Sequence, residues 1–239
     1  MTTTVYLRLA PIVLLLAVVA APTSLQSQSS QSSQTRSGAT ADAAIGIRLS
    51  TLGLGLELGK QLADHVSARI GINVGSFSQT GKNQSNLTYD VSLKLQAAEA
   101  LIDYSPSKRG VFHFTAGLLT NPLTISGVGT PSGSGTFTLN GNTYTSAQVG
   151  TLRTRSKFPG AMPYLGLGFG TPANRGGRVK FLFDIGAAIG KPTVALTSTG
   201  AGSSATLQTD LNAQTAKTQK DLNKLGAYPV ISLGLAIHL

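Results

Sequence analysis

Charged residues that alternate with large apolar residues are the first candidates for chemistry in this sequence. Eight of them share one parity with glycines and small residues: Arg48, Glu57, Arg69, Lys94, Glu99, Asp103, Lys180 and Asp184. For Glu99 and Asp103 the assignment requires a shift of parity near Ala97. Four of the eight are basic and four acidic, so the set sums to zero, and charges in an interior are tolerated when they are paired. The pattern predicts a salt-bridged lumen network.

The histidines and two short motifs could suggest catalysis. We expect His113 and His238 to form a structural cluster at one rim, near Asp103, where substrate would not reach a Ser-His-acid or Asp-His site. The motif S-x-x-K at Ser105–Lys108 lacks its companion motifs, and in GLGFG (166–170) the glycines follow one strand face with no helix after them. The chain has no cysteine and three scattered histidines, which do not suggest a metal site. We therefore predict no enzymatic activity, no cofactor and no metal.

The elements that must position these residues show a period of two, which is typical of half-buried strands. The alternating segments are 45–49, 52–58, 68–74, 91–95, 112–118, 165–169, 179–189 and 231–239. The parity flips between Leu49 and Leu52, which requires a tight turn or a bulge near Ser50–Thr51. Residues 43–58 are therefore either a hairpin or one long bulged strand.

The faces opposite the apolar stripes decide the architecture. They carry many of the 28 glycines, which weaken a solvent-facing strand but suit a crowded, curved interior. Apolar residues outside and small or charged residues inside are typical of a transmembrane barrel. The predicted fold is all-β, an eight-stranded antiparallel transmembrane β-barrel. Short periplasmic turns are predicted at 60–66, 105–110 and 171–177, and long extracellular loops at 79–88, about 121–159 and 191–227. One short helix is predicted before the last strand, at Thr206–Leu225.

The start of the chain predicts export. Arg8 precedes the apolar run Ile12–Ala21 and small residues, as in a secretory signal peptide, and the run is too short for a membrane-spanning helix. We assign residues 1–24 to the signal peptide, with cleavage between 20 and 26, residues 25–42 to a disordered polar tether, and residues 43–239 to the barrel. The lack of cysteine excludes a lipid-modified cysteine anchor and disulfides. The predicted location is the bacterial outer membrane.

The chain ends in the alternating stretch ISLGLAIHL. Ser232, Gly234, Ile237 and Leu239 resemble, in order, the C-terminal insertion signal of bacterial outer-membrane barrels, although the usual final aromatic residue is replaced by Leu239. The stretches TLGLGLELG, MPYLGLGFG, FLFDIGAAIGKP and YPVISLGLAIHL are similar to the outer membrane protein beta-barrel domain family, whose small eight-stranded members are largely uncharacterised. This resemblance implies contact with outer-membrane lipids and insertion by the barrel assembly machinery, and it transfers no catalytic residue.

The favoured function is a non-enzymatic outer-membrane barrel with a side-chain-filled lumen, serving a structural or surface-interaction role. A small-solute channel, a lipid-modifying enzyme and a soluble secreted barrel remain alternatives. The formal net charge is +10, and Arg153, Arg155 and Lys157 in a predicted extracellular loop are candidates for contact with anionic lipid phosphates. The alternative for these three is a solvated loop surface. We do not expect nucleic acid as a partner, because no recognition module is present.

Overall fold

The computed structural model describes residues 5–6, 43–84, 87–107, 112–120, 122–131, 136–170 and 179–239. The predicted signal peptide, apart from residues 5–6, and the predicted tether lie outside the described residues. The predicted short link at 105–110 lies partly outside the described residues, and the one at 171–177 lies entirely outside them.

Eight antiparallel strands form a closed ring, which confirms the predicted fold class. In ring order they are β2 (Ala43–Ser50), β3 (Gly53–Ala63), β4 (Val66–Gln84), β5 (Leu87–Tyr104), β6 (Phe112–Thr120), β11 (Ala161–Phe169), β12 (Val179–Ile189) and β14 (Ala227–His238). The last strand closes the ring on the first, with Ser232 opposite Ser50 and His238 opposite Ala44. The amide of Leu239 then donates to the carbonyl of Ala43 at 2.9 Å. Closure leaves no open sheet edge, which lipid could not satisfy.

The first two strands of the ring are joined by a tight turn at Thr51–Leu52. The Ser50 hydroxyl accepts the amide of Leu52 at 3.1 Å and donates to the carbonyl of Gly53 at 3.2 Å. Gly53 has a φ of +104°, which favours glycine. This turn explains the parity flip, and the alternative of one long bulged strand is wrong. Leu52 also leaves the predicted outward stripe, because it is fully buried in the lumen.

The outer wall of the ring is an apolar band. Along β2, β3, β4, β12 and β14 the large apolar side chains alternate with buried ones. Representative exposed fractions are 56% for Ile47, 53% for Leu56, 59% for Ile72, 62% for Phe181 and 47% for Leu233. A band of this kind around a water-soluble protein would be an exceptionally large apolar patch. The predicted inversion of polarity, apolar outside and charged inside, is confirmed.

The long connections at one end of the ring, here called the outer end, contain further structure. Their strands are β7 (Thr124–Pro131), β8 (Thr136–Leu139), β9 (Asn142–Thr145), β10 (Leu152–Lys157) and β13 (Thr193–Ser198). Strand β5 changes partner along its length: residues 99–104 pair with β6, whereas residues 87–94 pair with β7. Strand β7 pairs with β10, which pairs with β13. The name outer sheet is used here for strands β7, β10 and β13 together with the parts of β4 and β5 that lie nearest the outer end.

A small cap lies beside the outer sheet. It comprises the hairpin β8–β9, the short helix α1 (Ser146–Val149), a 3-10 turn (Ala201–Ser203) and helix α2 (Ala205–Leu222). A two-residue strand, β1 (Val5–Tyr6), within the predicted signal peptide, pairs with β8. The buried side chains of the cap are Leu139, Tyr144, Val149, Ala201, Leu207 and Leu211, and Leu196 of β13 packs with them. No helix among the described residues is long and apolar enough to cross a membrane.

Helix α2 is the predicted helix before the last strand. The Ser204 hydroxyl accepts the amide of Leu207 at 3.3 Å and caps its start. The helix ends at Leu222 with Asn223 as its cap, three residues before the predicted end at Leu225. Leu225 is consequently outside the helix and 52% exposed.

Candidate functional site

Six of the eight charges predicted for the lumen meet in one buried network. Five ring strands bring them together: Arg48, Glu57, Arg69, Glu99, Asp103 and Asp184 come from β2, β3, β4, β5 and β12, and each is at most 6% exposed. Each projects inward because strand side chains alternate and the outward positions are taken by the apolar band.

Arg69 is the hub of this network. Its Nη2 donates to Asp103 Oδ1 at 2.8 Å and to Asp184 Oδ1 at 3.0 Å, and its Nη1 donates to Glu57 Oε2 at 3.3 Å. Nε lies 2.6 Å from Asp103 Oδ2, an ion-pair contact without hydrogen-bond alignment. The planar guanidinium presents donors in several directions, so one side chain holds three carboxylates.

Arg48 completes the network through the same oxygen of Glu57 that Arg69 contacts. Its Nη1 donates to Glu57 Oε2 at 2.5 Å, and its Nη2 donates to Glu99 Oε1 at 2.6 Å. The same Nη1 lies 3.9 Å from Asp184 Oδ2. Glu57 therefore bridges the two arginines, and the six charges form one connected cluster.

Neutral groups add hydrogen bonds to two of the carboxylates, Asp103 and Asp184, whereas Glu57 Oε1 has no partner among the described residues. Thr115 donates to Asp103 at 2.7 Å, and Ser232 donates to Asp184 at 3.3 Å. His113, fully buried, has Nε2 3.0 Å from Asp184 Oδ1 and 3.8 Å from Asp103 Oδ1. Because a carboxylate only accepts, Nε2 of His113 carries the proton in this contact.

Glycines provide the space that this crowding needs, as their number in the sequence predicts. A Cβ on Gly71 would lie 2.6 Å from Glu99 Oε1. A Cβ on Gly168 would lie 2.5 Å from both Asp184 Oδ1 and His113 Cε1. Strand β11 thus contributes room to the network instead of a charge.

The other two predicted lumen charges do not join the network. The expected shift of parity near Ala97 is absent, and odd-numbered residues of β5 face inward from Leu93 to Asp103. Lys94 is therefore exposed on the outward face. The assumption that Leu93 and Leu95 face lipid is wrong, since both pack inward against the buried core. Lys180 is half-buried and forms no ion pair with the described residues.

The charge balance of the network therefore differs from the zero predicted for the full set of eight. Two guanidinium groups face four carboxylates in the network, a formal charge of −2 when all are ionised. Among the described residues, no group of three or more His, Asp and Glu side chains is arranged to hold a metal ion.

An apolar plug fills the lumen between the network and the outer end. Its buried members are Leu52, Ala97, Leu101, Leu119, Leu123, Phe158, Met162, Tyr164, Ala188, Tyr228 and Val230. Leu119 and Met162 are 1% and 0% exposed, and the rings of Phe158 and Tyr228 meet edge-on at 5.4 Å. This plug was not predicted from the sequence. Its signal was available, because parity places Leu119, Met162 and Tyr164 on the inward faces.

The predicted rim cluster of His113 and His238 is not formed. His113 belongs to the lumen network, whereas His238 lies half-buried at the end of β14, opposite Ala44, with Nε2 lacking a hydrogen-bond partner. A Ser-His-acid triad needs the serine to donate to the histidine. Here Ser232 donates to Asp184 instead, and the fully buried His113 contacts carboxylates.

The four residues of the C-terminal pattern divide between the two faces of β14. Ser232 is 2% exposed in the lumen network, and a Cβ on Gly234 would lie 2.9 Å from the carbonyl of Ile47. Ile237 and Leu239 point outward and are 50% and 72% exposed. Their role in insertion stays a prediction.

The three basic residues predicted in a loop lie on strand β10 of the outer sheet. Arg153, Arg155 and Lys157 occupy alternate positions and are all exposed. The structure thus places them on one face, with Leu152, Thr154 and Ser156 on the other.

A further buried carboxylate, outside the membrane-spanning strands, joins helix α2 to the β8–β9 hairpin of the cap. Asp210 on α2 accepts hydrogen bonds from the Tyr144 hydroxyl, from Asn142 Nδ2 at 2.7 Å and from Asn140 Nδ2 at 3.1 Å. These donors, Tyr144 first, hold the pKa of Asp210 below its usual range. The same hydrogen bond raises the pKa of the Tyr144 hydroxyl.

A closed ring of eight antiparallel strands with an apolar outer wall and a charged lumen defines a β-barrel of the outer-membrane type. The crystal structure of Acinetobacter baumannii CarO has this fold: it matches with a TM-score of 0.51 and 20% identity over 83% of this chain and 98% of that chain. The crystal structure of Acinetobacter baumannii CarO2 matches with a TM-score of 0.50 and 17% identity over 82% and 98% of the two chains. At these identities the likeness shows the fold. Neither a protein-family model nor a curated protein matches the chain.

Proposed function

We propose that the protein is a non-enzymatic barrel of the bacterial outer membrane whose lumen is filled by its own side chains. Its role would be structural or one of surface interaction, with the barrel anchoring the outer sheet and the cap at the cell surface. The outer-membrane location is supported by the exposed apolar band and by the fold shared with the two crystal structures.

The filled lumen is the observation that carries this proposal. An eight-stranded barrel has an interior only wide enough for side chains or one small ligand. Here the charge network crosses the middle of the lumen, the plug lies above it, and Ala44, Leu182 and Ala236 form a third buried layer. Three successive layers of buried side chains leave little room for a solute path through the described residues.

Planar-bilayer recording tests this proposal. We expect the wild-type protein to show no steady conductance, because both the plug and the ion pairs would have to move. Leu119→Ala with Met162→Ala removes plug volume and should introduce brief openings. Leu118→Ala with Leu165→Ala is the matched control, since both leucines are 57% exposed on the outer wall. A stable open channel in the wild-type protein would overturn the proposal.

A narrow cation channel is the second candidate, because of the formal excess of two carboxylates in the lumen. It predicts that any wild-type current is cation-selective and that Glu99→Gln lowers the selectivity. The filled-lumen proposal predicts no such current to analyse.

A further inference from the structure

Lys94, which was predicted to lie in the lumen but lies on the outward face, is aligned with the basic residues of β10. Lys94 pairs with Thr124 of β7, and Thr124 pairs with Lys157 of β10. Residues directly opposite one another in a sheet project from the same face. Lys94 and Lys157 therefore lie about 10 Å apart, two strand spacings, on the outward face of the outer sheet.

The next cross-strand rows extend this face. Ser92 pairs with Ser126 and Ser126 with Arg155; in the row beyond, Asp90 pairs with Val128 and Val128 with Arg153. Along β10 the three basic residues are about 7 Å apart. Lys94, Arg153, Arg155 and Lys157 are here called the basic face.

The reverse side of the outer sheet is covered in part. Leu93 and Ile125 pack against the plug, and Tyr89 and Leu152 pack against the cap. Phe77 and Val91, on the same side, are 64% and 37% exposed. Among the described residues, the opposite face carries four cations and one acid, Asp90, which accepts the amide of Gly81 at 3.0 Å. None of the four cations forms an ion pair with a described residue.

The basic face continues the lipid-facing wall of the barrel without a break. On β4, Ile72 and Val74 are 59% and 56% exposed. Ser76, the next residue of the same face toward the outer end, pairs with Lys94. The apolar band thus gives way to cations within about 7 Å along one strand. A shallow cavity of about 320 Å³ opens at this boundary, lined by Val74, Gly75, Ser76, Lys94, Leu95 and Gln96.

We propose that the basic face binds the phosphate groups of a glycolipid in the outer leaflet, whose acyl chains lie against the apolar band below. A soluble anion would need only the cations. The direct junction of unpaired cations with an exposed apolar wall matches a ligand that carries both phosphate and hydrocarbon, and basic residues at a membrane boundary attract anionic headgroups. The proposal rests on the outer-membrane placement proposed above.

The test compares two triple variants in nanodiscs of phosphatidylcholine containing lipid A with two phosphates or with none. The first carries Lys94→Ala, Arg155→Ala and Lys157→Ala. The matched control carries Lys191→Ala, Lys220→Ala and Lys224→Ala, three exposed lysines outside the basic face. Both variants lose three positive charges, so their change in net charge is the same. Native mass spectrometry measures the lipid bound at each lipid concentration.

We expect the basic-face variant to bind the diphosphorylated lipid at least about tenfold more weakly than wild type. Three basic residues at about fivefold each would give a loss of about a hundredfold, and screening by salt reduces it. The control should stay within about twofold of wild type, and the lipid without phosphate should not distinguish the variants. Equal losses of lipid affinity in both variants would overturn the proposal. So would wild-type protein that binds lipid A equally well with two phosphates and with none. Heat-modifiable migration of the same samples reports folding into the bilayer, so failure of membrane insertion is recognised separately.

Discussion

Arg69 and Arg155 carry the same guanidinium group in opposite settings. Arg69 is 1% exposed and contacts three carboxylates in the lumen, whereas Arg155 is exposed on the outer sheet and has no ion pair with a described residue. The lumen has an excess of carboxylates and every charge of its network is paired, while the basic face has unpaired cations. Burial and pairing, and not residue type, therefore distinguish a charge that stabilises the fold from one that is available to bind a partner.

Truncation of each arginine to alanine should give the largest difference in the free energy of unfolding between the two regions. Arg69→Ala leaves three buried carboxylates without their common donor, and loss of one partner of a buried pair typically costs about 3–5 kcal/mol. Arg155→Ala changes an exposed side chain, for which we expect a change within about 0.5 kcal/mol. Urea unfolding in lipid vesicles measures both. Equal stability of the two variants would mean that the lumen network does not hold the barrel together.

The outer wall can be tested with two residues of nearly equal exposure. Ile237 on β14 is 50% exposed and Leu225 in the link before it is 52% exposed. Ile237→Asp places a charge on the lipid face and alters the predicted insertion signal, so we expect loss from the outer-membrane fraction and of heat-modifiable migration. Leu225→Asp should assemble normally. Normal assembly of the Ile237 variant would contradict the transmembrane placement of this strand.

The cap offers a buried charge that is held by neutral donors. A lowered pKa means that Asp210 stabilises the docking of α2 at pH above its unfolded value of about 3.9, and that this contribution is lost as the pH falls through the lower folded value. The raised pKa of Tyr144 adds stability below about pH 10 that is lost at higher pH. NMR shifts of α2 amides should therefore change little between these limits. Tyr144→Phe removes the main donor and should move the acidic transition to higher pH; an unmoved transition would assign the docking to the apolar contacts alone.

Truncation of Lys94 should have the smallest effect on stability, and it tests whether this residue belongs to the basic face or to the lumen. Because it lies outside the lumen, Lys94→Ala should change the free energy of unfolding by no more than about 0.5 kcal/mol. Lys94 should also react with a membrane-impermeant amine reagent in intact vesicles. A loss of several kcal/mol would return this lysine to the lumen network.

The period of two was sufficient to predict the ring, because each strand has lipid on one side and a crowded lumen on the other. It failed where that condition ends. The upper half of β5 has the plug and cap inside it, so Leu93 and Leu95 point inward, and an apolar stripe alone does not distinguish lipid from a protein core. The long connections contain the outer sheet and the cap, whose strands mix threonine, serine and glycine with few large apolar residues. Their pairing depends on long-range register, which no local pattern encodes.

Cysteine accessibility tests the closed lumen most directly, because the chain has no cysteine of its own. Ser232 is 2% exposed beside Asp184, whereas Ser78 is exposed on β4, so the same substitution samples both regions. In lipid vesicles, Ser78→Cys should react rapidly with a small, water-soluble thiol reagent, and Ser232→Cys should react at least about a hundredfold more slowly while the barrel stays folded. Comparable rates for the two cysteines would show water and solutes inside the lumen and would contradict the closed barrel.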